Sequence, residues 1–104
     1  MKTQKFTLLQ LFSIVDSKNR LSTNIEDVYA MLNHIFDTSF FTHQLPAAMD
    51  RLREISPDWF VALKNEVDTI CVMHEDDFDK IIEAIKRDYD LEFDIPQLTE
   101  SEKS

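Results

Sequence analysis

The sequence predicts a mainly α fold with a minor two-stranded β element, an α+β arrangement in the form of a compact single-domain helical bundle. Three observations predict it. Apolar residues recur at helical spacing in five separate stretches. Residues 91–95 instead alternate apolar and acidic side chains, the pattern of a half-buried strand. Finally, 43% of the 104 residues are hydrophobic, enough apolar surface for one core and too much for a disordered chain.

The first helix is expected over residues 8–15, where Leu8, Leu11, Phe12 and Val15 share a face. Thr7 and Gln10 have the spacing of a capping box, in which each side chain satisfies an amide of the other. Residues 16–20 read as a polar loop. The second helix carries Ile25, Val28, Tyr29, Leu32, Ile35 and Phe36 at helical spacing. Thr23 or Asn24 is its cap, Glu26 and Asp27 suit the positive end of its dipole, and it should stop near Asp37.

After a bulky connector, Pro46 suits the first turn of a third helix, where a missing N–H costs nothing. Leu45, Met49, Leu52 and Ile55 form its buried stripe, with Arg51 and Arg53 facing water. Ser56, Pro57 and Asp58 read as cap, proline and first-turn acid of a fourth helix that buries Trp59 or Phe60 with Leu63 and Val67. The run Ile70, Cys71, Val72, Met73 is β-prone and is predicted as a short strand. A fifth helix opens at Glu75 or Asp76 and buries Phe78, Ile81, Ile82 and Ile85. Leu91, Phe93 and Ile95 then alternate with Glu92 and Asp94 until Pro96 ends the strand. The two predicted strands make a βαβ unit or an antiparallel pair. The globular domain is expected over residues 1–96, with 97–104 a flexible tail.

Charge divides the chain. The net charge is −9, yet residues 1–53 hold six Lys/Arg against five Asp/Glu, while residues 54–104 hold five against fifteen. An acidic half repels phosphate, so direct nucleic-acid binding is not expected. The chain contains no glycine, which excludes phosphate-binding loops and the EF-hand, since these need φ > 0 or a close backbone approach. Turns must rely on Asn, Asp or Pro. The single cysteine, Cys71, permits no internal disulfide. No signal-peptide pattern opens the sequence, and no run approaches the ~20 apolar residues that span a bilayer. The expectation is a cytoplasmic protein without a membrane partner.

The sharpest candidate site is acidic. Between residues 75 and 94 stand Glu75, Asp76, Asp77, Asp79, Glu83, Asp88, Asp90, Glu92 and Asp94, opposed by Lys80, Lys86 and Arg87. Asp76, Asp79 and Glu83 share a helix face by spacing. Such a surface either imitates the charge of a nucleic-acid backbone and docks on a basic groove of a protein, or serves solubility and the helix dipole. The second candidate is the connector Phe40, Phe41, Thr42, His43, Gln44. It is either a pocket wall or partner anchor, with Arg20 or Arg51 supplying local positive charge for a nucleotide, or a core plug with Thr42 capping a helix. Cys71 with His74, Asp76 and Asp77 offers mixed metal ligands, but a second Cys/His pair is missing. No metal or other cofactor is expected. Neither a nucleophile elbow nor an activating base beside Cys71 is discernible, so no enzyme is expected. Trp59, Phe60 and the paired Phe40 and Phe41 suit core or interface equally, which leaves a homo-oligomer open.

Four motifs carry a resemblance: Phe6 to Ile14 (FTLLQLFSI), Arg20-Leu21, Asp27 to Asn33 (DVYAMLN) and Phe41 to Pro46 (FTHQLP). In this order they resemble a family of small tailed-phage proteins with an FTHQLP-type signature, over about residues 6–52. The chain departs from that pattern where Asn19 and Asp37-Thr38-Ser39 replace glycines, and its acidic half lies outside the resemblance. The resemblance implies a phage origin and no catalytic residue. Phage accessory proteins of this size include stoichiometric inhibitors of host defence, anti-CRISPR and anti-restriction proteins among them, some of which imitate DNA. By that analogy the expected partner is a host protein, such as a nucleic-acid-binding defence component.

Overall fold

The computed structural model describes residues 2–103. The element order is β1 (Thr3–Thr7), α1 (Leu8–Val15), α2 (Ile25–Phe36), a single 3-10 turn (Thr42–Gln44), α3 (Leu45–Ile55), α4 (Asp58–Met73), α5 (Phe78–Asp88), β2 (Glu92–Pro96) and α6 (Glu100–Lys103). The architecture is mainly α with one two-stranded antiparallel sheet. One hydrophobic cluster joins residues from Phe6 to Leu98, with Phe12, Met31, Leu52, Phe60, Val67 and Ile81 among its most deeply buried members.

Local rules place most helix ends. Thr7 accepts from the Gln10 amide at 3.1 Å, and the Gln10 side chain accepts from the Thr7 amide at 2.9 Å, closing the expected capping box. Asn24, not Thr23, caps α2 by accepting from the Asp27 amide at 2.9 Å. α2 stops at Asp37, whose φ of 52° is left-handed. Without glycine the turns use other residues at positive φ: Asn19, Asp37 and Asp76, as the composition suggested, but also Ser56 and Glu75. Ser56 therefore closes α3 rather than opening α4, and Pro57 takes the N-cap position of α4.

Four expectations are corrected. Residues 70–73 form the last turn of α4, not a strand. Phe60, Leu63, Val67 and Ile70 continue one buried helical stripe, and packing outweighs the β propensity of this run. The partner of β2 is β1, in the register Phe6 opposite Phe93 and Lys5 opposite Asp94, so the sheet joins the two ends of the described chain. α5 begins later than predicted, because Asp77 accepts from the Lys80 amide at 3.2 Å and is its cap. Residues 97–103 are docked rather than frayed. Leu98 is 5% exposed, its amide donates to the Ile35 carbonyl at 2.8 Å, and Thr99 and Glu102 cap α6 reciprocally. Ser104 lies outside the described residues.

Candidate functional site

The predicted site residues fall in three places. The first is a junction that the sequence did not reveal. Asp16, only 2% exposed, follows the last turn of α1. Arg20 grips both of its carboxylate oxygens, Nε to Oδ2 at 2.8 Å and Nη2 to Oδ1 at 3.1 Å. The same guanidinium reaches Asp76 Oδ1 at 2.9 Å, and it lies over the rings of Phe12 and Phe78, 5.8 and 5.5 Å from their centroids. Lys18 also pairs with Asp76. Burial acts to raise the Asp16 carboxyl, but the hydrogen bonds and charge of Arg20 outweigh it and hold the group below its ordinary value. Hydrogen bonds from Lys18 and then Arg20 lower Asp76 as well. The Asp16 hydrogen bond raises the Arg20 pKa against an opposing effect of burial. This junction ties α1, the following loop and the start of α5 together. It engages the Arg20 fork within the junction, and Arg20 does not line the concavity formed by Phe40, His43 and Gln44, with which the sequence had grouped it.

Cys71 lies beside this junction, its Sγ 3.7 Å from Arg20 Nη2. Burial, and then the charge of Asp16, raise its thiol pKa, the opposite of what a nucleophile needs. Among the described residues no three His, Cys, Asp or Glu side chains converge as a metal site would require.

The connector splits. Phe40 is half-buried and packs edge-on against Phe36 with ring centroids 5.5 Å apart. Phe41 is 71% exposed and stacks on His43 at 6.0 Å. Thr42 pairs with the Tyr29 hydroxyl instead of capping a helix, and Gln44 accepts from the Phe41 amide at 2.8 Å. Phe40, His43, Gln44 and Arg51, with Lys103, line a broad concavity of about 640 Å³. Arg51 bonds Glu54 at 3.2 Å and the Lys103 carbonyl at 3.1 Å. Arg53, expected in water, reaches the Asp16 carbonyl at 3.1 Å and the Asn19 side chain.

The eight acidic residues from Asp76 to Asp94 do not form one face. Asp76 is held by Lys18 and Arg20, Asp77 caps α5, and Asp88 pairs with Arg87 at 3.1 Å. Asp79 and Glu83 share the exposed side of α5 with Lys80, Lys86 and Arg87, so that side is mixed in charge. Asp90 follows α5, while Glu92 and Asp94 occupy the outer side of β2, opposite Thr7 and Lys5. No ion pair within 4 Å involves Asp79, Glu83, Asp90, Glu92 or Asp94 among the described residues.

A fourth feature escaped sequence reasoning. A cleft of about 410 Å³ runs between α4 and β2, walled by Trp59, Leu63 and Glu66 on one side and Leu91, Phe93 and Asp94 on the other. The signal was divided: Trp59 and the 91–95 alternation were both visible, but nothing local said that they face each other.

No helix among the described residues is long and apolar enough to cross a membrane. No curated protein and no solved structure matches the chain significantly. The family described as a domain of unknown function (DUF7736) matches residues 6–66, from the end of β1 into α4 and short of the acidic run. Since the match spans more than half of the sequence, the chain belongs to that family.

Proposed function

We propose that the chain is a non-enzymatic, phage-encoded protein that acts in the host cytoplasm by binding and inhibiting a host protein, as an anti-CRISPR or other anti-defence inhibitor that imitates nucleic-acid charge. One observation carries the reading. Three of the eight carboxylates from Asp76 to Asp94 serve the fold, as partners of Lys18, Arg20 and Arg87 or as the cap of α5, while Asp79, Glu83, Asp90, Glu92 and Asp94 have no cation within 4 Å among the described residues. The fold leaves these five charges available to a basic surface. Glu92 and Asp94 have no Lys or Arg within four positions in sequence, whereas Asp79, Glu83 and Asp90 have Lys80, Lys86 or Arg87 that close.

The test is capture from a bacterial lysate at two salt concentrations by the natural chain and by D90K/E92K/D94K. Retention of a nucleic-acid-handling protein that disappears at higher salt and with the variant is the expected result. Equal retention of the same proteins by the variant overturns the acidic surface as the binding determinant.

A second reading, binding of a nucleotide signal, has one observation in its favour. His43, Arg51 and Lys103 meet in the concavity beside Phe40, a local concentration of nitrogen donors in an acidic protein. A thermal-shift screen with cyclic and linear nucleotides addresses it, because a ligand of the native state raises apparent stability by mass action.

A further inference from the structure

Among the described residues, the outer edge of β2 has no backbone partner, and it lies beside an apolar cleft. The ladder defines which groups point outward. Leu8 donates to the Leu91 carbonyl at 3.0 Å and Gln97 donates to the Lys2 carbonyl at 3.3 Å, one at each end of the sheet. Hydrogen-bonded and non-bonded pairs alternate in an antiparallel ladder. In the observed register this makes Phe6 with Phe93, and Gln4 with Ile95, the bonded pairs. The amide and carbonyl groups of Glu92 and Asp94 therefore point away from β1. Pro96 belongs to the same outward set, so its missing N–H costs the ladder nothing and closes that end of the edge.

The side chains extend the pattern. Phe93 and Ile95 lie on the inner side of β2 and, with Leu91 just before the strand, contribute to the cleft, whose far wall is α4 with Trp59 and Leu63. No β1 residue lines it, so the cleft flanks the β2 side of the sheet. Leu91 is 51% exposed there. Glu92 and Asp94 alternate to the outer side, both exposed, with Asp94 also bordering the cleft, and Glu66 lies on the α4 rim.

We infer that the β2 edge and the adjoining cleft accept an extended segment of a partner protein as a third strand, and that this segment alternates basic and apolar residues. The chemistry of the edge selects that occupant. In an antiparallel pairing, the residues opposite Glu92 and Asp94 share their outer side, where Lys or Arg meets a carboxylate. The residue between them faces Phe93 and the cleft, where an apolar side chain is buried against Trp59 and Leu63. Main-chain bonds from Glu92 and Asp94 supply affinity without sequence preference, and the alternation supplies specificity. The same two acids guard the edge against a second copy, because antiparallel β2–β2 pairing sets carboxylates against each other. This inference rests on the acidic-surface reading above and assigns that surface a place and a partner geometry.

Trp59 is the sole tryptophan, so its emission reports occupancy of the cleft directly. The probe is a capped Lys-Val-Lys-Val-Lys peptide, titrated into the natural chain alongside a same-composition peptide in the order Lys-Lys-Lys-Val-Val and a version N-methylated on its backbone. The expected result is a saturable change in Trp59 emission with the alternating peptide, at least about tenfold weaker with either control and with E92K/D94K. These substitutions are exposed, and the circular dichroism spectrum verifies that the fold is kept. Equal binding of the alternating and N-methylated peptides overturns strand addition but leaves the acidic-surface reading standing. No response to any peptide at millimolar concentration overturns the inference, while the lysate capture with D90K/E92K/D94K decides the broader reading separately. A dimer of the natural chain that dissociates in E92K/D94K, seen by sedimentation, overturns the partner segment as the occupant.

Discussion

Arg20 holds both carboxylate oxygens of Asp16 from four residues away, and it extends the same guanidinium to Asp76, which lies 56 positions further along the chain. Asp16 is almost fully buried, so its charge depends on Arg20 for compensation. The pair is the structural centre of the loop between α1 and α2. Replacing Arg20 by Met keeps much of the stem that packs on Phe12 and Phe78 but leaves the carboxylate unpaired. R20M is expected to lose about 3 kcal/mol of unfolding free energy in urea titration. D76A, which removes an exposed partner, is expected to lose less.

The same junction sets an acid dependence. The Asp16 and Asp76 carboxyls lie below their ordinary values in the folded protein, so the folded state binds fewer protons than the unfolded state just below those values. Their stabilisation is fully present above about pH 4, the ordinary carboxylate range, and is lost as pH falls through the lowered values. Without Arg20, burial is the largest effect left on Asp16 and raises it, so the stability difference between the natural chain and R20M is expected to be largest near about pH 7 and to shrink on acidification, beginning above the ordinary carboxylate range of about 4. Urea titrations at graded pH measure it, and a difference that grows on acidification contradicts the assignment.

Cys71 is half-buried beside Arg20, and burial raises its thiol pKa. Alkylation by iodoacetamide at about pH 8 is expected to be slower than for an unstructured cysteine peptide, because both thiolate fraction and access are reduced. Denaturation should bring the rate to the peptide value. A native rate above the peptide value would instead mark an activated thiol.

Leu98 anchors the C-terminal segment through burial and through its amide bond to Ile35. L98A is expected to cost about 2–3 kcal/mol, a large-to-small change at a filled site. A change within about 0.5 kcal/mol, the range of ordinary surface substitutions, would mean that residues 97–103 do not dock as described.

Phe40 and Phe41 are adjacent and behave differently. Phe40 packs on Phe36 and contacts the core, whereas Phe41 is exposed. F41A is expected to change the unfolding free energy by less than about 0.5 kcal/mol, and F40A to cost clearly more. If F41A abolishes host-protein capture at unchanged stability, the connector joins the binding surface.

The sequence determined what depends on neighbours within a turn or two. The stripes of α1, α2 and α5, the Thr7–Gln10 box and the Pro46 start of α3 are encoded by side chains three or four positions apart, and the sequence alone predicted them, apart from Ile25, which is exposed. The alternation at 91–95 likewise announced β2. Tertiary structure decided the rest. A strand is defined by its partner, and Thr3–Thr7 has little alternation of its own beyond Phe6, so only the docking of Phe6 against Phe93 made it β1. Residues 70–73 favoured a strand locally and became helix because Ile70 completed the buried stripe of α4. The acidic run was plain to read, but which carboxylates remain open depended on Lys18 and Arg20, brought to Asp76 from 58 and 56 positions away. Local hydrogen bonding and side-chain periodicity write themselves into short windows of sequence, whereas the pairing of distant charges and strand edges is settled only when the chain closes on its core.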